Sequence, residues 1–257
     1  MGLYHELLYQ PLFNLLIWLY NILPGADLGF AIIAISILIK LILWPFSRAS
    51  LKSQKALQHI QPKIEVIKKE HGQNKEAMAK AMMELYKKEK VNPLSSCLPL
   101  LIQLPLLIAL YSVLNAGLHA ESLVDLYPFI SNPGQVNPFF LGRINLEQQH
   151  LVMAVIAGIF QFIQTKMLMA KRPPKIVQKK EGAKDEDMLA MMNKNMLYLM
   201  PVMTVVIGAS LPGGLVLYWI VINILSIIQQ FFVFKGKDDS GEKQSGNSVV
   251  EGKVVSS

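Results

Sequence analysis

Between Asp27 and Arg48 the chain reads LGFAIIAISILIKLILWPFS, twenty residues that hold a single charge, Lys40. An apolar run of about 18 or more residues is long enough to cross a bilayer as a helix. Four more runs follow, at 93–118 (with Pro99 and Pro105 inside it), 150–169, 195–211 and 215–234. A chain built this way is not an ordinary soluble domain, and its composition agrees. Of 257 residues, 52% are hydrophobic and 17% charged, against about 45–50% and about 25% in soluble proteins. The pattern predicts an all-α integral membrane protein with five transmembrane helices, at 28–47, 93–118, 150–169, 195–211 and 215–234. One cysteine, Cys97, excludes an internal disulfide framework and a cysteine-based metal cluster.

Residues 1–27 read differently. Leu7 to Leu23 is apolar but interrupted by Gln10, Pro11, Asn14 and Asn21, with Trp18, Tyr4, Tyr9 and Tyr20 close by. That mixture predicts an interfacial helix, with a sixth span as the alternative. A basic leader and a small-residue cleavage site are missing, which argues against a signal peptide.

The basic residues set the expected topology. The loop 48–92 holds eleven, the stretch 166–194 eight and the tail from 235 four, whereas the loop 119–149 holds only Arg143 and residues 1–27 hold none. The amino terminus is therefore expected outside and the carboxyl terminus in the cytoplasm. An odd number of spans is required, and five satisfies it. Loop 119–149 is expected to be extracytoplasmic and irregular, 170–194 to be a cytoplasmic loop, and 235–257 to be a disordered cytoplasmic tail.

The spans are polar in an unusual way. A Lys at mid-membrane costs about 2.5–3.5 kcal/mol on insertion scales and marks a functional candidate. Lys40 shares one helical face with Gly29, Ser36 and Ser47; Trp219, Asn223, Ser226 and Gln230 share another in the last span. Gln161, Gln164 and Thr165 come together in the third span, and Gln103 lies in the second. Two plainer readings stand beside a functional one: Lys40 snorkels to the headgroups, and the amides hold helices together. Four spans bringing polar groups alongside one cation favour a hydrated cavity. No Asp or Glu lies inside any of these spans, so the counter-charge of Lys40 is water, lipid phosphate or a visiting substrate. With no catalytic constellation, nucleotide loop or metal motif, neither enzyme activity nor a cofactor is expected.

Residues 48–92 predict a cytoplasmic helical hairpin turning at His71-Gly72-Gln73-Asn74. Leu57, Ile60, Ile64 and Ile67 form an apolar seam that Met78, Met82 and Leu85 continue, and Pro62 places a kink in the first arm. The basic excess of the hairpin suits an anionic membrane surface or an acidic partner such as ribosomal RNA, or simply reflects topology. No specific binding of DNA is expected.

The stretches ILIKLILWPF, LQHIQPKIEVIKKE, MMELYKKEKVNPLSSCLPLLIQLPLLIALY and LPGGLVLYWIVINILSIIQQ together resemble the YidC family of membrane protein insertases, from about Leu28 to Gly236. The resemblance implies a five-span core around a hydrophilic groove, open to the cytoplasm and to lipid and closed to the outside. In the family a basic residue, usually Arg, projects into that groove from the first core span. Lys40 falls there, with Ser36 one turn earlier, Trp219 at an aromatic substrate-contacting position, Gln103 and Gln164 as groove amides, and Asn223 on the Trp219 face. Lys replaces Arg, so attraction depends on hydration keeping the amine charged. A large extracytoplasmic domain, a lipoprotein cysteine and a basic ribosome-binding tail, each found in some members, are not expected here.

The function this implies is insertion and assembly of single- and double-spanning membrane proteins without nucleotide hydrolysis. The expected partners are nascent membrane proteins and the lipid bilayer, with the ribosome and a Sec-type translocon as further candidates. The expected location is the bacterial plasma membrane. A small-solute transporter or channel is the alternative from another class, and an assembly scaffold is a third.

Overall fold

A computed structural model describes residues 2–71, 74–92, 98–116, 123, 125–169 and 197–235. The expected cytoplasmic loop 170–194 and the tail beyond Lys235 lie outside these residues. What is described is overwhelmingly helical. A π-helical turn, His5–Tyr9, runs into α1, Gln10–Ile22. Then come α2 (Leu28–Ile42), α3 (Trp44–His59), α4 (Gln61–His71), α5 (Lys75–Lys88), α6 (Leu98–Ala116), α7 (Leu151–Met169), α8 (Leu197–Gly208) and α9 (Gly213–Lys235).

Helices α7 and α9 are each long and apolar enough to cross a membrane, while α2 and α3 meet that test only together, as a pair bent by 63°. Helices α6 and α8 contribute shorter apolar stretches, Leu101–Asn115 and Leu197–Gly208. The chain is thus a multi-pass helical membrane protein. The first apolar run does not end as one straight helix. Helix α2 stops at Ile42, Leu43 takes φ −84° and ψ 0°, and α3 begins at Trp44 with Pro45 in its first turn. Pro45 has no N–H to bond back to the carbonyl four residues earlier and its ring crowds that turn, whereas in the first turn of a new helix the missing N–H costs nothing, so the run breaks just before it. The same logic divides the hairpin's first arm. Helix α3 ends at His59 and Pro62 sits in the first turn of α4, where a missing N–H leaves nothing unpaired. Ile60 and Ile64 are buried on the expected seam, and Asn74 caps α5 through the amide of Ala77 at 3.1 Å.

The amino-terminal helix packs closely against the rest of the bundle. Phe13, Leu16, Ile17 and Tyr20 are inside the core. Its buried Asn14 donates to the carbonyl of Asp125 at 3.0 Å and accepts from the amide of Tyr127 at 2.7 Å. The Tyr20 hydroxyl accepts from the amide of Asn137 at 2.9 Å, and Asn21 donates to the Ser131 carbonyl at 2.7 Å. These bonds order much of the loop that the sequence left irregular. That loop also forms a small antiparallel ribbon, Phe139–Phe140 (β1) with Ile144–Asn145 (β2).

Small residues let the helices approach. A Cβ on Gly158 of α7 would lie 2.4 Å from Val205 Cγ2 of α8, and one on Gly214 of α9 would lie 3.1 Å from both Ile32 and Leu114. Backbone contact of this kind is a main source of helix association in lipid. The apolar core that results is gathered at one end of the bundle. It comprises Leu28, Ile32 and Ile35 of α2, Leu110 and Val113 of α6, Ala154 and Ala157 of α7, and Leu215 and Val216 of α9.

Candidate functional site

At the other end of the same four helices the side chains turn polar. Lys40 lies three turns beyond Leu28 on α2, Gln103 precedes the buried part of α6, and Gln161 and Gln164 follow that of α7. Trp219, Asn223 and Ser226 continue α9. These residues, with Ser47 and Ser50 of α3, line a cavity of about 290 Å³. The bend at Leu43 makes this possible: it swings α3 under the bundle, so Leu43, Phe46, Ser47 and Ser50 form a wall instead of prolonging α2.

Five of the six candidates named from sequence, Lys40, Gln103, Gln164, Trp219 and Asn223, meet at this cavity. Ser36 does not. It is fully buried, and its hydroxyl donates back to the Ile32 carbonyl at 2.5 Å, the local bond that Ser favours inside a helix. Being one turn farther from the bend, Ser36 lies among Ile32, Ile35 and Ile39 in the apolar half.

The Lys40 ammonium donates to Ser226 Oγ at 2.9 Å, and the Ser226 hydroxyl donates in turn to the Ile222 carbonyl at 2.7 Å. Among the described residues Lys40 makes no ion pair, and it is the one charged side chain on the cavity wall. An ammonium has three donors, so one serine leaves it able to bind further acceptors. Asn223 donates to the Ala157 carbonyl at 3.4 Å. The Gln103 amide donates to the Tyr218 hydroxyl at 2.6 Å. Both amides keep an oxygen for other partners. Tyr218 was not singled out from sequence, nor was Ser50. An aromatic with a polar tip beside Trp219 was the available signal for the first, and the spacing Ser47–Ser50 across the apparent end of the span for the second.

Chemically, the site offers one cation, several neutral amides and hydroxyls, and the Trp219 ring. Among the described residues no group of three or more His, Cys, Asp or Glu side chains gathers as a metal site. The arrangement is suited to receiving polar or anionic groups reversibly at membrane depth.

Comparison with known proteins decides the family. The family described as 60Kd inner membrane protein matches residues 18–240. The chain belongs to it. A relative from Fusobacterium nucleatum, a membrane protein insertase YidC, is 34% identical over 209 residues, which cover 81% of this chain and 87% of that protein. Two other relatives with the same name are longer. The one from Ectopseudomonas mendocina is 36% identical over 226 residues, 87% of this chain and 33% of the relative. The one from Nitrosococcus oceani is 32% identical over 235 residues, 91% and 37% respectively. The chain spans about a third of the length of these two relatives.

Proposed function

We propose that the protein is a membrane protein insertase and assembly chaperone. In this reading five spans, 28–47, 93–118, 150–169, 195–211 and 215–234, enclose a hydrated groove that opens toward the cytoplasm and the lipid, with the amino terminus outside and the carboxyl terminus in the cytoplasm. The observation that carries it is the division of the same helices into an apolar half and a polar half, with Lys40 the charged group lining the latter. A substrate is a nascent membrane protein with a short polar tail. The tail enters the groove, where its acidic or polar groups meet Lys40, Gln103, Gln164 and Asn223, while Trp219 contacts the adjoining apolar segment. An ion pair at about 4 Å and an effective dielectric of about 20 contributes roughly 4 kcal/mol before desolvation. That offsets much of the cost of bringing one carboxylate to this depth. The apolar segment then passes sideways into lipid, and its burial drives the step without nucleotide hydrolysis or any change in covalent bonds. Ser36 serves this reading as packing, not as a groove contact.

Photo-crosslinking tests it. A photoreactive residue at 40, 164 or 219 of the full chain is expected to crosslink a ribosome-stalled single-span protein at the stage when its tail has not yet crossed. Absence of crosslinks from all three positions sinks the groove reading.

A further inference from the structure

The tip of the β1–β2 ribbon is built against the ordinary rules for a turn in water. The Arg143 amide donates to the Phe140 carbonyl at 3.1 Å, and the two residues between them, Leu141 and Gly142, have φ of +52° and +66°. Gly, Asn or Asp takes the first of these positions in hairpins, because other residues meet steric resistance in the left-handed region. Leu141 is there instead, and its side chain is 60% exposed. The conformation is enforced by the fold. Asp27 Oδ2 accepts from the Leu141 amide at 2.7 Å while Oδ1 accepts from Gly29 at 2.7 Å, capping α2. The Phe140 ring lies on the bare backbone of Gly29, where a Cβ would come within 2.0 Å of it. The fold thus holds the Leu141 backbone through Asp27 while leaving the residue largely exposed, outside the apolar core.

Its surroundings are apolar as well. Phe139 beside it is exposed, as is Phe30 at the amino end of α2; beyond the exposed polar residues Glu147, Gln148 and Gln149, α7 opens with Leu151 and Val152, both largely exposed. Helix α7 is apolar and long enough to cross a membrane. Through the edge-on contact of Phe30 with Phe140, ring centroids 5.6 Å apart, the turn adjoins the apolar outer face at the amino end of α2. Arg143 closes the turn, exposed and with no ion pair among the described residues. An apolar tip next to a free guanidinium matches the boundary between acyl chains and lipid phosphates.

We propose that the Phe139–Arg143 turn is a lipid anchor, with Leu141 and Phe139 entering the leaflet at the amino end of α2 and Arg143 binding phosphate there. It fixes the loop that covers the apolar end of the bundle to the membrane in which the bundle stands. The anchor requires α7 to cross the bilayer but does not depend on the insertase reading, and its test involves no substrate.

The experiment uses the full chain with Cys97→Ser, reconstituted in phospholipid vesicles. Nitroxide labels are placed singly at Leu141→Cys, at Val152→Cys as a lipid reference and at Glu147→Cys as a water reference. Collision with oxygen and with a water-soluble nickel chelate reports depth. The label at 141 is expected to resemble that at 152, with nickel collisions reduced about fivefold relative to 147. Nickel access equal to that at 147 overturns the proposal. Shielding from both reagents also overturns it, in favour of a protein partner or a second copy at this face. A second variant needs no label: Leu141→Asn relieves the backbone, so it is expected to raise the thermal midpoint more in detergent than in vesicles. An equal rise in both overturns the proposal. Arg143→Glu is expected to raise nickel access at 141 in vesicles containing anionic lipid; no change there overturns the role given to Arg143.

Discussion

Lys40 is the charged residue on a wall otherwise made of amides, hydroxyls and apolar groups, so substitutions at this one position separate charge from shape. Lys40→Arg keeps the charge and adds donors, and the neighbouring Ser226 hydroxyl can accept from a guanidinium as from an ammonium. Insertion by this variant is expected to stay within about twofold of the parent, a difference of about 0.4 kcal/mol. Lys40→Glu reverses the sign, placing a carboxylate where an acidic tail must pass. For acidic-tailed substrates it is expected to lower insertion about tenfold, corresponding to about 1.4 kcal/mol, and to leave neutral-tailed substrates much less affected. Protease protection of the translocated tail in vesicles measures both. Normal insertion of every substrate by Lys40→Glu removes the electrostatic step. The sequence alone made Lys40 stand out, because a single charge in twenty residues is visible without a fold. It could not separate Ser36 from Ser47. Both lie on the Lys40 stripe, and only the level of the apolar core decides that Ser36 back-bonds to Ile32 while Ser47 faces the cavity.

Between elements, polar side chains do much of the joining. Helix α6 contains Pro105, which removes the backbone bond its N–H would have made. Two residues earlier Gln103 ties α6 to α9 through Tyr218, whose ring is fully buried. Gln103→Leu leaves that hydroxyl buried without its partner, which costs about 1–3 kcal/mol. Tyr218→Phe alone strands the amide instead. The double variant removes both groups and is expected to recover most of the loss, so thermal midpoints of the four proteins in detergent should be non-additive by about 1 kcal/mol or more. Additive losses would mean that the two side chains stabilise α6 and α9 independently. Gln58 of α3 plays a comparable part, donating to the Leu168 carbonyl in the last turn of α7 at 2.7 Å. The interruption at Pro62 was legible because proline acts locally, whereas the sequence reading carried one span, 28–47, straight through Pro45. The direction in which α3 leaves α2 was not legible either, since a 63° bend is fixed by what α3 packs against. The packing of α1 was equally hidden, because the partners of Asn14 and Tyr20 lie more than a hundred positions away in the chain.

Across the whole molecule the decisive property is length along the membrane normal. Helix α2 has 15 residues before the bend, about 22 Å at about 1.5 Å per residue, whereas the hydrocarbon core of a typical bilayer is about 30 Å. With α3 turned aside and the turn lined by Ser47, Ser50 and Lys40, the straight part of the first span is expected to fall short of an undisturbed bilayer on that side. A mismatch of about 8 Å costs a few tenths of a kcal/mol per Å, and the insertase reading predicts that the bilayer relieves it by thinning next to the cavity. Thinning is also what a polar tail needs, because it shortens the apolar distance to be crossed. The two consequences lead to one expectation. With the purified full chain in vesicles, the insertion that depends on the protein should fall about tenfold as the lipid acyl chains are lengthened from short to long, since thinning a thicker bilayer costs about 1–2 kcal/mol more. Protein-free vesicles of each thickness supply the background, and the measurement is protease protection at matched protein density. Lys40→Arg should show the same thickness dependence as the parent, because the bend and not the charge sets the short dimension. A rate indifferent to thickness would mean that the bilayer beside α2 is not thinned and that the tail crosses by another route.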